Sequence, residues 1–171
     1  MAHVRSFPPI VGRSPRTLIL GSAPGTASLR AQQYYAHPRN AFWGILAGLL
    51  GFDARLDYAA RTRRLIDADI AVWDVLRSCK RPGSLDSKIE PASVVANDFD
   101  TFFARHPTVE RVCFNGAAAE ALYRRHVVHT LAPTTRPRYM RLPSTSPANA
   151  SVPVAEKVSL WRVAILADTT A

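Results

Sequence analysis

"TLILGSAPG", Thr17–Gly25, is a short, largely apolar run that stops at a small turn bounded by two glycines. Apolar residues in succession, without alternation, suit a strand buried on both faces of a parallel sheet. Gly21 and Gly25 let the backbone turn sharply and approach a ligand closely, while Pro24 stiffens the turn. The stretch lacks the G-x-x-x-x-G-K-[ST] pattern of a nucleotide loop and the full G-x-G-x-x-G spacing. Alone it reads more readily as a plain strand-to-helix connection than as a ligand loop. Nine residues further on, "YYAHPRNAFW" crowds Tyr34, Tyr35, His37, Arg39, Asn40, Phe42 and Trp43 together.

Outward from this turn, strands and helices alternate. "RNAFWGILAGLLG", Arg39–Gly51, has helical apolar spacing and a glycine placed to cap its end. Residues 53–68 predict a polar helix with Leu56, Leu65 and Ile66 turned inward. "IAVWDVL", Ile70–Leu76, predicts a second strand, and residues 77–89 an exposed loop. Residues 91–107 read as one amphipathic helix ended by Pro107. "VERVCFNG", Val109–Gly116, is a third strand followed by a helix over 117–126. "RYMRLP", Arg138–Pro143, is a fourth, followed by a loop over 144–153 and a closing helix over 154–168. Residues 1–16, with three prolines and little periodicity, predict an irregular leader to a single domain spanning 1–171.

This order predicts an α/β fold, a parallel sheet covered by helices on both faces. In such sheets ligands bind beyond the C-terminal ends of the strands. That rule selects "GSAPG", "WDVLRSCKRPGS", "FNG" and "LPSTSPAN", which should converge on one site.

Composition narrows the chemistry. The net charge is +9, and all 22 basic residues except Lys80, Lys88 and Lys157 are arginine. Arginine suits bidentate contacts to phosphate, so nucleic acid is one candidate partner and a merely solvated basic surface the other. Cys79 and Cys113 form no CxxC pair, and two cysteines cannot hold a four-cysteine iron–sulfur cluster. The five histidines show no metal-ligand spacing, so no metal is expected. No apolar run approaches ~18 residues, so no membrane span is expected; with no signal peptide in view, the expected compartment is the cytoplasm. Ser22, Ser144 and Ser146 sit on strand-end loops without a G-x-S-x-G elbow. Asn115 reads as a base-reading amide or a turn former, Asn40 as a functional amide or an N-cap, and Tyr35 as a stacking platform or core.

Taken together, "LILGSAPG", "YYAHPRNAFW", "WDVLRSCKRPGSLDSKI", "FNG" and "LPSTSPAN" resemble the uracil-DNA glycosylase superfamily from Thr17 to Trp161. Within it the chain is most similar to the hypoxanthine-DNA glycosylases, the family-six, DNA-deoxyinosine type. Mismatch-specific uracil-DNA glycosylases share a similar "AHP-x-N-x-FW" run. The resemblance implies a three-layer α/β/α fold with a four-stranded parallel sheet. It also implies cofactor-free hydrolysis of an N-glycosidic bond in DNA, on a deaminated base flipped from the duplex.

The resemblance further implies roles for particular residues. Gly21, Ser22, Ala23, Tyr35 and Asn115 would hold the base. Asn40 would position water, because many members carry Asp or Asn where this chain has Ala23. Ser144 stands where uracil-specific members have a histidine that supports the departing base. Arg39, Arg81, Ser146, Ala148 and Asn149 would touch DNA, with Arg77, Lys80 and Arg141 as further phosphate contacts. The loop from Ser144 would enter the minor groove with Pro147, Ala148 and Asn149 in place of a bulky leucine. None of the three lysines lies in these motifs, which favours a monofunctional enzyme, expected to act as a monomer. A mismatch-specific uracil or thymine glycosylase, a non-catalytic damage sensor and a serine hydrolase remain alternatives.

Overall fold

The computed structural model describes residues 2–167. In chain order the elements are β1 (His3–Arg5), β2 (Thr17–Gly21), α1 (Thr26–Ala31), α2 (Phe42–Leu50), α3 (Tyr58–Asp67), β3 (Ile70–Asp74) and β4 (Leu76–Lys80). There follow β5 (Val95–Ala96), α4 (Phe99–Arg105), β6 (Arg111–Asn115), α5 (Ala117–His126), β7 (Arg138–Leu142) and α6 (Val154–Leu166). β3, β2, β6 and β7 form a four-stranded, wholly parallel sheet in that spatial order.

The uninterrupted apolar runs are explained by burial on both faces. Leu18, Leu20, Val112 and Phe114 face one layer, where α4 and α5 supply Phe99, Phe102, Phe103, Ala119 and Tyr123. Ile19, Val72 and Cys113 face the other, against Phe42, Leu46, Leu65 and Trp161 from α2, α3 and α6. Alternate residues of one strand therefore enter two different cores. The three-layer α/β/α arrangement read from the sequence is the one observed.

Two segments correct that reading. The expected leader is not irregular throughout: β1 pairs antiparallel with β4, and Ile10 bridges antiparallel to Val72. Val4 and Ile10 are buried, so the segment closes one margin of the fold. A three-residue strand leaves too little periodicity to be seen. The expected exposed loop over 77–89 begins as β4, which with β1 and β5 makes a second, antiparallel sheet.

Helix boundaries moved where a capping side chain intervened. The single helix expected over 91–107 is a 3-10 turn (Pro91–Ser93), the short β5 and then α4. Asp98 accepts the Thr101 N–H at 3.0 Å and starts α4 there, while the β-branched Val94–Val95 pair goes to extended backbone. Asp57 likewise accepts from Ala60 N–H at 2.8 Å and delays α3 to Tyr58, leaving Leu56 before the helix. α2 ends at Gly51, in the left-handed region with φ 76°, as its C-cap position requires. The closing helix forms as α6; Asp168, its expected end, lies outside the described residues.

Candidate active site

The four strand-end stretches do converge. Gly21–Ser28, Tyr34, Tyr35, His37, Asn40, Asp74, Ser84, Asp86, Asn115 and Ser144–Pro147 enclose one cavity of about 150 Å³. It lies at the C-terminal ends of β2, β3 and β6, where the sheet order places successive strands on opposite sides of β2.

Both asparagine amides that line the cavity are held by hydrogen bonds to neighbouring segments. Asn115, at the end of β6, is fixed twice by Thr145: its Oδ1 accepts the Thr145 N–H at 2.9 Å and its Nδ2 donates to Thr145 Oγ1 at 2.9 Å. A backbone N–H cannot accept, so the amide orientation is determined. One oxygen lone pair of Asn115 and its second N–H, which faces the Tyr35 hydroxyl, remain to engage a partner. The Thr145 carbonyl also accepts the Ala41 N–H at 3.0 Å, tying the fourth stretch to the residue after Asn40. Asn40 Oδ1 accepts the Phe42 N–H at 3.0 Å, and its own N–H donates to the His37 carbonyl at 2.9 Å. Asn40 therefore both ties down the start of α2 and lines the cavity.

Tyr35 lines the cavity with Phe42 stacked against it, ring centroids 4.0 Å apart and planes at 24°. Its backbone adopts φ 54°, a left-handed conformation that costs a non-glycine residue on the order of 1–3 kcal/mol. Its phenol is pushed well above the usual range, by burial first and by the neighbouring Asp74 second, against an opposing hydrogen bond from the Asn115 side chain. Gly21 is required by space: a Cβ there would lie 2.6 Å from Asp74 Oδ1 and 3.0 Å from Tyr35 Oη. Ser22 donates to Asp86 Oδ1 at 2.6 Å, Ala23 contributes wall, and Ser144 Oγ accepts the Ser146 N–H at 3.1 Å.

Arg81 corrects the sequence reading. It is 0% exposed, so its guanidinium is not a phosphate contact. It donates to the Pro24 and Gly83 carbonyls and lies 3.7 Å from Asp86, clamping the first loop to the loop after β4. Lone arginines in a basic chain look alike in sequence, and nothing in "KRPGS" marks this one as buried. Arg39 is exposed beside the cavity. Ser146 joins both the cavity and an adjoining cleft that adds Leu85, Arg141, Ala148, Asn149 and Val152. Lys157 is buried and donates from Nζ to the Asn149 carbonyl at 2.9 Å, holding that loop against α6.

Asp74, Asp86 and Thr145 were missed as site residues. Asp74 was visible as a carboxylate closing the apolar run "IAVW"; Thr145 acts through backbone and hydroxyl contacts that no sequence pattern announces. Among the described residues no three His, Cys, Asp or Glu side chains gather to hold a metal ion, and no helix is long and apolar enough to cross a membrane.

Residues 8–168 match the family model of the uracil DNA glycosylase superfamily. The chain belongs to that superfamily. A hypoxanthine DNA glycosylase of Methanosarcina barkeri is 38% identical over 113 residues, 66% of this chain and 70% of its relative. One of Methanosarcina acetivorans is 36% identical over 116 residues, 67% of this chain and 72% of the relative. The solution NMR structure of a candidate uracil DNA glycosylase from Methanosarcina acetivorans superposes with a TM-score of 0.77 at 32% identity. The match covers 96% of this chain and 97% of that one. Superfamily membership makes the protein a DNA glycosylase and the cavity its candidate active site.

Proposed function

We propose that the protein is a monofunctional glycosylase that hydrolyses the N-glycosidic bond of hypoxanthine flipped out of DNA. The observation that carries this reading is the fixed Asn115 amide, which keeps one donor and one acceptor for a partner in the same cavity as Tyr35 and Asn40. Hypoxanthine presents a carbonyl acceptor beside a ring N–H donor, the matching pair. Uracil offers the same pair, so cavity size decides between them. The two relatives named as hypoxanthine DNA glycosylases favour the purine.

Bond cleavage develops positive charge on the sugar and negative charge on the base. Asn40 has no useful proton affinity near neutrality and acts by position. Its oxygen already accepts the Phe42 N–H, and its second lone pair takes a hydrogen of the attacking water. Tyr35 stacks on the base, a contact worth ~1–3 kcal/mol. Ser144, whose oxygen is occupied by the Ser146 N–H, keeps its hydroxyl hydrogen for the departing base. No lysine lines the cavity, so the product is an intact abasic site. The loop at Ser146–Asn149 enters the minor groove, and Arg39 contacts phosphate. A wedge of Pro147, Ala148 and Asn149 is weak, which favours bases already mispaired, because these cost less to flip.

The Asn40 role is tested by single-turnover base release. Asn40→Ala should lose ~10²–10³ in rate with DNA affinity nearly unchanged. Full activity with only a lowered melting point would leave Asn40 as a helix-start residue and remove it from the chemistry.

A further inference from the structure

Asp74 closes β3 beside Gly21, the last residue of β2, and its carboxyl forms part of the cavity floor. It is 3% exposed, yet among the described residues its Oδ2 has no hydrogen-bond partner. A buried carboxyl oxygen without a partner on the wall of a cavity is costly unless something polar occupies that cavity. The groups that face Asp74 are Asp86 and Arg81 from the loop after β4, Cys79 of β4, and Tyr34 and Tyr35 from the segment before α2. His37 lines the same cavity. Arg81 donates from Nε and Nη2 to the Gly83 and Pro24 carbonyls, and its Nη1 lies 3.7 Å from Asp86, so its charge is shared between Asp86 and Asp74 and only partly offsets the burial of Asp74.

Resting on the base-pocket reading above, we propose that Asp74 works as a neutral carboxylic acid that donates a hydrogen bond to a carbonyl oxygen of the bound base. The arrangement adds a second, stronger donor for the departing base beside the Ser144 hydroxyl. As the glycosidic bond breaks, its electron pair leaves on the base and spreads to that oxygen, where the Asp74 proton meets it. Water adds its hydroxyl to the sugar carbon, and its remaining proton reaches the released base through solvent. Asp74 ends protonated, as it began. A buried carboxyl with a second carboxylate nearby is biased toward this neutral form, and burial followed by Asp86 lifts it to about 7 against the opposing Arg81.

The test is single-turnover release of hypoxanthine from inosine-containing duplex between pH 6 and 8.5, for wild type, Asp74→Asn and Asp74→Ala. Wild type should slow by about tenfold per pH unit above roughly pH 7, as the donor is lost. Asp74→Asn, which cannot titrate but still donates, should be flat across the range. Asp74→Ala should be slower by ~10² at pH 6. A wild-type rate that is flat, or that rises with pH as a general base would require, overturns the proposal while leaving the glycosylase reading intact. A fall that persists in Asp74→Asn assigns the titration to another group, His37 included, and also overturns it. If Asp74→Asn fails to fold, His37→Gln takes its place: a pH fall retained in that variant supports Asp74, and one abolished by it overturns the proposal. No release by wild type at any pH overturns both readings together.

Discussion

Asp74→Asn should stabilise the protein at alkaline pH. In the folded chain the carboxyl titrates at about 7, against 3.8 when solvated, because burial and Asp86 outweigh Arg81. Each unit is worth ~1.4 kcal/mol, so the full difference is about 4 kcal/mol. Between the two values the folded state holds a proton that the unfolded chain has shed. Wild-type stability therefore falls as pH rises from about 4 and levels off above about 7. Asparagine is isosteric and does not titrate. The stability gap in favour of Asp74→Asn should widen by about 2–3 kcal/mol between pH 5 and pH 8. In a chain of this size that is roughly 5–10 °C in melting temperature. Urea or thermal melts of both proteins at the two pH values measure it. A gap that is constant with pH, or that narrows, would refute the premise that the cavity floor holds an uncompensated carboxyl.

Arg81→Ala should cost ~1–3 kcal/mol, because it leaves the Pro24 and Gly83 carbonyls without the buried guanidinium that joins them. It should leave the salt dependence of DNA binding unchanged, whereas Arg39→Ala should lower the slope of log affinity against log salt by about 1 with little change in stability. Salt titrations and melts on both variants check this, and the reverse pattern would return Arg81 to the DNA surface. Gly21→Ala should fold but release base poorly. Its methyl group would press on Asp74 and Tyr35, so wild-type rates in this variant would show that the two side chains need not converge there.

The fold was legible because its decisive strands are buried on both faces. "TLIL", "IAVW" and "VCF" are continuous apolar runs, and their exits into Gly21, Asp74 and Asn115 mark the ends where ligands bind. Tyr35, Asn40 and Asn115 were likewise accessible, since each stands in a dense or glycine-flanked motif. β1, β4 and β5 were not: such short strands gain their stability from one another across 90 residues of sequence, not from local propensity. Arg81 was misplaced for a related reason, because its burial depends on the Pro24 and Gly83 carbonyls arriving from two separate loops. Thr145 acts on Asn115 from 30 residues away. Spacing along the chain carries no record of such contacts.

The central claim is that this cavity releases hypoxanthine from DNA, and base release is the measurement closest to it. Duplexes carrying inosine, uracil or mispaired thymine are incubated with wild type and Asn40→Ala, with and without EDTA, and the free bases and alkali-labile sites are quantified. The account predicts free hypoxanthine and an uncleaved abasic strand from wild type, unaffected by EDTA, and a rate lower by ~10²–10³ in Asn40→Ala. Release of uracil or thymine alone would contradict the purine assignment, and DNA binding without release of any base would contradict the claim itself.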